Sequence, residues 1–353
     1  MAERISAEVR AANFKQLTRR NWQNLGSKTI AATGGSAIFE LPRARLLAGC
    51  RIIIDATATA VESSSTAVTP ADLAPYSLVK KILLNLNNGF APVELTGQAA
   101  YIVNSTIKGV NNAAAAISGR GNAVLGLLSA ASSGVANKLH LVIDVPNELN
   151  PRDPVGLILL QNVDTLANLE IQTGVIGDVY PASSGFTFTL STVTVTVMTD
   201  TYSIPADPAA VPDISILKSY KGRTEAIQAG ENIIKLPVGQ TYRKLWFTIR
   251  NSSAVRLGDA NITSPIELVL DQNETPYKVA PAFLAAANAT AYNGALPDGM
   301  YVFDFSDNGI PNLGNSRDLI DTQRITEFWL RFTSNTAGTV EYGYELLSRL
   351  AGM

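Results

Sequence analysis

Four aspartates lie close together in sequence near the C-terminal end of the chain: Asp304, Asp307, Asp318 and Asp321. Carboxylates in such a group could bind calcium through their oxygen atoms or flank a sugar. Their spacing does not match an EF-hand loop. We therefore favour a structural role, in which these aspartates cap turns or pair with Arg317 or Arg324.

The only histidine, His140, is the other candidate for chemistry, because it lies four residues before Asp144. A Ser-His-Asp triad is formally possible. However, His140 and Asp144 belong to one predicted strand, and the chain has no Gly-x-Ser-x-Gly nucleophile elbow. The glycines at 119, 121 and 126 do not fit a dinucleotide-binding loop, since the third is misplaced and no strand precedes them. We predict no catalytic residue, no metal site and no cofactor.

Trp246 and Trp329 could form an aromatic platform for a carbohydrate, but tryptophans on strands more often pack at sheet or subunit contacts. Two alternating strands flank the loop that carries the aspartates: Tyr301–Phe305, which contains Asp304, and Ile325–Phe332, which contains Trp329. Alternation places five apolar side chains on one face, namely Phe303, Phe305, Phe328, Leu330 and Phe332. Asp304, Trp329 and Arg331 then lie on the other face.

Weaker copies of these segments occur upstream, which indicates that the chain contains two copies of one β-rich unit. The matching pairs are Gly35–Pro42 with Gly230–Pro237, Ile82–Gly89 with Ile266–Asn273, Asp144 with Asp304, and Asp164 and Thr165 with Asp321 and Thr322. The pairs keep chain order, and their separation shrinks along the chain, as shorter loops in the second copy would produce. An Ala-rich insertion, Ala280–Ala295, takes the place of residues 107–137.

Many short strands, few helices and turns rich in Pro, Gly and Asn predict a mainly β protein of two tandem eight-stranded jelly-roll barrels. We predict a first jelly roll over residues 30–202, a Pro-rich linker over 203–213, and a second jelly roll with a C-terminal tail over 214–353. Apolar parity switches at Ser191 and Thr192, which predicts a β-bulge or a bend there.

Residues 1–29 form a predicted N-terminal basic helical arm, with six basic and two acidic residues and no Pro or Gly before Gly26. Its apolar residues do not keep a single stripe, as a helix on a membrane surface would. Two interpretations stay open: the arm contacts a membrane surface or other subunits, or it docks on its own barrel.

The composition indicates a protein whose surface is covered by neighbouring subunits. Charged residues are only 16% of the 353, against 46% hydrophobic, and the net charge is −2. Such a surface suits contacts with other subunits, although an apolar monomer stays open, and it argues against sequence-specific nucleic-acid binding. The single cysteine, Cys50, excludes internal disulfides and is expected to be buried. We expect neither a bilayer-spanning segment nor a secretory leader.

The chain resembles the double jelly-roll major capsid proteins of tailless, membrane-containing icosahedral bacteriophages, the tectivirus-like group of the adenovirus lineage. The resemblance rests on the duplicated β unit, the N-terminal arm, the Pro-rich linker and Gly230–Pro237. The C-terminal Val340–Glu345 is also similar to the Gly-Tyr-Glu ending of that group.

The resemblance implies a structural protein of the virion, present in the host cytoplasm during assembly. It implies a homotrimer whose six barrels form a pseudo-hexameric tile, with neighbouring capsomers and vertex or minor capsid proteins as partners. The arm would face an internal viral membrane or the shell interior through Arg4, Arg10, Phe14, Lys15, Arg19, Arg20 and Trp22. The alternative is a tandem β-sandwich that binds carbohydrate, as a lectin or adhesin does. A third possibility is an enzyme such as a glycosidase. It would need two catalytic carboxylates, and the sequence has no convincing pair.

Overall fold

The structure is a computed structural model that describes residues 7–62, 70–87, 89–113, 115–116, 123–125, 134–149, 155–160, 166–182, 185–207, 210–211, 214–272, 274–306 and 319–349. The chain divides into two compact units. The first comprises residues 1–105 and 112–217, and the second comprises residues 106–111 and 218–353. Among the described residues, no helix has the length and apolar character needed to cross a bilayer.

The helices are α1 (Ala7–Leu17), α2 (Gly97–Lys108), α3 (Val110–Ala113) and α4 (Pro281–Ala291), with 3₁₀ turns at Tyr76–Leu78, Ile176–Asp178 and Asp259–Asn261. The strands of the first unit are β1 (Arg20–Ile30), β2 (Gly35–Glu40), β3 (Leu46–Glu62), β4 (Val79–Leu86), β5 (Phe90–Leu95), β6 (Ala115–Ala116), β7 (Ala123–Leu125), β8 (Val135–Pro146), β9 (Ile158–Leu159), β10 (Ala167–Thr173), β11 (Phe186–Leu190) and β12 (Val193–Tyr202).

Eight of these strands form the two sheets of a jelly roll. One sheet has the order β1-β12-β3-β8, with the short strands β7 and β6 beyond β8 and with β11 and β9 also paired to β3. The other has the order β5-β4-β10-β2. Buried apolar side chains alternate along β8, β10 and β12, for example Leu141, Ile143 and Val145 on β8. This pattern is that of sheets with one face in a core.

The second unit repeats this arrangement with β13 (Ile216–Ile227), β14 (Gly230–Leu236), β15 (Thr241–Asn251), β16 (Ile266–Leu270), β17 (Glu274–Val279), β18 (Met300–Asp304), β19 (Ile320–Asp321), β20 (Phe328–Ser334) and β21 (Gly338–Arg349). Its sheets have the orders β18-β15-β21-β13 and β14-β20-β16-β17. Taken in chain order, the eight main strands of both units pair in the same way, and α2 and α4 follow the fifth strand of each. The predicted double jelly roll is therefore confirmed.

The core of the second unit is aromatic. The five residues that alternation placed on one face all lie in it, with exposed fractions from 0% to 7%. Phe247 stacks between two of its neighbours, with ring centroids 5.1 Å from Tyr301 and 5.8 Å from Phe332. The C-terminal strands thus supply much of the apolar surface that holds the two sheets together.

The predicted helix over residues 1–29 is wrong in its second half, because α1 ends at Leu17 and Arg20–Ile30 is strand β1. Ile30 is the only residue of β1 that is buried, so its sequence carries no alternating apolar signal. Pairing with β12 over nine positions determines the strand instead. Gly26 has φ +88° at the irregularity in this pairing, a conformation that favours glycine.

The predicted bulge at Ser191 and Thr192 is confirmed. Leu190 on β11 faces Ala58, and Thr194 on β12 faces Asp55 on the same strand, β3. Three residues therefore lie opposite two, which defines a β-bulge. The linker over 203–213 and the other predicted domain limits stay predictions. Within the linker, Ala210 is fully buried and Ala206 is exposed.

Candidate functional site

The side chain of Asp304 is only 7% exposed, and both its oxygens have partners within the chain, so it is not placed to bind a sugar or a metal ion. Its Oδ2 lies 3.3 Å from Nζ of Lys244, which faces it directly on β15, and accepts a hydrogen bond of 2.9 Å from the Tyr292 hydroxyl. Its Oδ1 accepts hydrogen bonds from the backbone N–H and the hydroxyl of Ser306, at 3.0 and 2.6 Å. Burial raises the pKa of Asp304, but Lys244 and these hydrogen bonds outweigh it, and the net pKa lies below 3.8.

The turn-capping prediction is confirmed at two of the four aspartates. Asp304 caps the N–H of Ser306, and Asp321 accepts a 2.9 Å hydrogen bond from the N–H of Gln323, both two residues further on. Among the described residues, the cation that pairs with Asp304 is Lys244 and not the predicted Arg324. Asp307, Arg317 and Asp318 lie outside the described residues. Within the described ranges, no three His, Cys, Asp or Glu side chains come together to form a metal site.

His140 and Asp144 make separate cross-strand pairs. Nδ1 of His140 lies 2.7 Å from Oδ1 of Asp55, which faces it on β3. Asp144 accepts two hydrogen bonds from Arg51, at 2.7 and 3.1 Å. Both pairs are therefore polar contacts on the outer face of the sheet. Sequence reasoning missed Asp55 and Arg51, because strand pairing alone brings them to these positions.

A buried asparagine in the helix after the fifth main strand binds the sixth main strand of each barrel in the same way. In the first unit, Asn104 of α2 accepts a hydrogen bond from N–H of Asp144 at 3.0 Å and donates to its carbonyl at 3.3 Å. In the second, Asn288 of α4 accepts from N–H of Val302 at 3.0 Å and donates to its carbonyl at 2.8 Å. These bonds make Asp144 equivalent to Val302, so the sequence match of Asp144 with Asp304 was displaced by two residues along the strand.

The tryptophans do not form an open carbohydrate platform. Trp246 is 2% exposed, and Gly343 lies opposite it on β21. Trp329 is half-buried on β20, between Lys235 of β14 and Val269 of β16. The prediction that these rings pack at sheet contacts agrees with this placement.

Helix α1 lies against the first jelly roll through Phe14, which has no exposed surface. Its ring meets Tyr202 edge-on at 5.2 Å and packs in a small cluster with Leu46, Ala48 and Leu157. Lys15 and Leu17 on the same helix are exposed. The arm therefore docks on its own barrel, one of the two arrangements that the sequence left open.

The remaining arm residues lie on or near β1. The Ser203 N–H donates to the Arg19 carbonyl at 3.0 Å, and the Arg19 N–H donates to the Ser203 hydroxyl at 2.9 Å. Nε of Arg20 donates to both carboxylate oxygens of Asp200, at 2.8 and 2.9 Å. Trp22 is 49% exposed, with the guanidinium of Arg51 4.8 Å from its ring centroid. Arg4 and the side chain of Arg10 lie outside the described residues.

No protein-family profile matches the sequence, and no curated protein matches it either. Several solved structures are similar in fold along nearly the whole chain. The major capsid protein of Sulfolobus turreted icosahedral virus has a TM-score of 0.66 at 17% identity, over 94% of this chain and 97% of that one.

Two further capsid proteins show the same full-length similarity. The major capsid protein P2 of bacteriophage PM2 has a TM-score of 0.55 at 14% identity, over 94% of this chain and 98% of that one. The Faustovirus major capsid protein has a TM-score of 0.60 at 8% identity, over 94% and 90%. At such low sequence identities, the structural similarity shows the fold alone. This chain therefore has the double jelly-roll fold of viral major capsid proteins.

Proposed function

We propose that this chain is the major capsid protein of an icosahedral virus and has a structural rather than a catalytic role. The observation that carries the proposal is the full-length match of two complete jelly rolls to major capsid proteins. A match over one jelly roll would fit many binding modules, whereas the tandem arrangement is what these capsid proteins have in common. The low charge content supports extensive contact with neighbouring copies.

The proposed assembly unit is a homotrimer. Three copies supply six jelly rolls of equal strand order, which suits a pseudo-hexameric tile surrounded by neighbouring capsomers and by vertex or minor capsid proteins. One chain with two unequal barrels can close such a ring through heterologous contacts. The virion is the proposed location, with assembly in the host cytoplasm.

The proposed role of the arm is to face the shell interior or an internal viral membrane. Lys15 and Leu17 of α1 are exposed, as is Arg19 just after the helix, so this segment offers charge and apolar surface together. Phe14 would then anchor the helix to its barrel rather than contact lipid, since it is fully buried.

Light scattering and electron microscopy of the purified protein test the assembly. We expect a trimer at micromolar concentration and hexagonal outlines in projection. A protein that stays monomeric would contradict the proposal. For the arm, removal of residues 1–18 should leave the trimer intact but reduce co-flotation with anionic vesicles or shell yield. Unchanged flotation and shell yield would overturn the role of the arm alone.

A further inference from the structure

Each jelly roll exposes an isoleucine at the same position of its second strand. Ile38 on β2 is 48% exposed and Ile233 on β14 is 44% exposed, although both strands belong to ordered sheets. β2 and β14 are the edge strands of their sheets. An apolar side chain at equivalent exposed positions of two barrels, which otherwise share little sequence, indicates a common contact surface.

The strand register establishes this equivalence. Ile38 faces Glu170 on β10, which faces Leu83 on β4. Ile233 faces Arg331 on β20, which faces Glu267 on β16. Each isoleucine thus begins the same row across the second, seventh and fourth main strands of its barrel.

At two positions beside the isoleucines the charges have opposite signs in the two units. In the first unit they are Glu40, two residues along β2, and Glu170 on β10. In the second unit the same positions hold Lys235 and Arg331. We call Ile38, Glu40 and Glu170 the acidic patch, and Ile233, Lys235 and Arg331 the basic patch. One further charge beside each isoleucine has the sign of the opposite patch: Lys28 donates to the Ile38 carbonyl, and Glu231 lies two residues before Ile233.

Most of these charges have no partner within the chain. Across its described ranges, Glu40, Glu170 and Lys235 make no hydrogen bond or ion pair. Arg331 does have one, since its Nε donates to Glu267 at 2.7 Å. Glu40 and Lys235 are both exposed. Three of the four charges are therefore available for an external partner of opposite charge.

We propose that the acidic patch of one copy binds the basic patch of another copy of this chain. The isoleucines would supply buried apolar surface at the centre, and the surrounding charges would select the partner. Two acidic patches would repel each other, and so would two basic ones, so the contact is head-to-tail. A head-to-tail contact can close a ring. The inference rests on the proposed function, because it names the contact surface of that assembly.

Charge exchange tests the contact. We expect Glu40→Lys and Lys235→Glu each to weaken association by about tenfold, since each places like charges together. The double variant should recover most of the loss, because it restores an opposite pair across the interface. Sedimentation velocity would measure the dissociation of trimers, and electron microscopy the yield of larger assemblies. The single effects should shrink as salt rises.

Glu274→Lys and Arg324→Glu serve as matched controls, because both side chains are exposed and lie outside the two patches. Circular dichroism would check that every variant is folded. If neither trimers nor larger assemblies respond to the single variants, or if the double variant shows no recovery, the inference is overturned. Equal losses in the controls would also overturn it. A wild-type protein that never associates would instead contradict the proposed function.

Discussion

Gly343 lies directly opposite Trp246 on the antiparallel strands β21 and β15, and the indole ring fills the space that a side chain at position 343 would occupy. A Cβ atom there would come within 2.7 Å of three atoms of the ring. Packing therefore explains the glycine of the C-terminal Gly-Tyr-Glu motif, because the buried Trp246 ring leaves no space for a side chain at position 343.

We expect Gly343→Ala to lower the free energy of unfolding by about 1–3 kcal/mol, the usual cost of overpacking a core. Urea denaturation would measure the change. Gly222→Ala is the matched control, since its Cβ would meet only the Tyr342 carbonyl at an ordinary 3.6 Å. Equal stability of the two variants would contradict the packing explanation.

Asn288→Ala should destabilise the second jelly roll by about 2–4 kcal/mol, because it leaves the buried N–H and carbonyl of Val302 without hydrogen bonds. Chemical denaturation gives this value directly. Thr290→Ala, at an exposed position of the same helix, should change stability far less. If both variants lose the same amount, Asn288 does not act through the strand edge.

Stability should fall in acid partly through Asp304. Its pKa in the folded protein lies below the ordinary 3.8, so the ionised carboxylate stabilises the fold above that value, and the contribution is lost as pH falls through the folded pKa. Asp304→Asn should cost up to about 3–5 kcal/mol at neutral pH, because buried Lys244 loses its Asp304 partner and, within the described part of the chain, keeps only the carboxylate of Glu345 nearby.

Calorimetry between pH 2 and pH 7 would test this dependence. The melting temperature of Asp304→Asn should vary less than that of the wild type at the acid end. Glu274→Gln, at an exposed position, should follow the wild-type curve. Parallel curves for Asp304→Asn and the wild type would exclude Asp304 as an acid-sensitive group.

Phe14→Ala should release α1 from the first jelly roll, because the fully buried ring is its main apolar contact. Loss of a buried Phe costs about 3–5 kcal/mol, so the helix should become open to proteases while the barrel stays folded. Trypsin cleavage at Lys15 and Arg19 should accelerate. Leu17→Ala, where the side chain is 56% exposed, should leave the cleavage rate unchanged.

Much of the fold follows from the sequence, because alternating apolar residues report which face of a strand is buried. This rule correctly placed Phe303 and Phe332 in the core and Ser191 at a bulge. Repeated sequence motifs, such as Gly35–Pro42 and Gly230–Pro237, indicated the duplication. Turn capping by Asp304 and Asp321 was predictable for a related reason, since it depends only on residues nearby in the chain.

The tertiary structure alone decided what depends on pairing between distant segments. Strand β1 has apolar residues without regular alternation, so no periodic signal marks it, and pairing with the hydrogen-bonding edge of β12 determines the strand. Lys244 became the partner of Asp304, and Asn288 that of Val302, because strand register and helix packing bring them together. Local sequence pattern carries information about faces, whereas partners across a sheet are determined by long-range contacts.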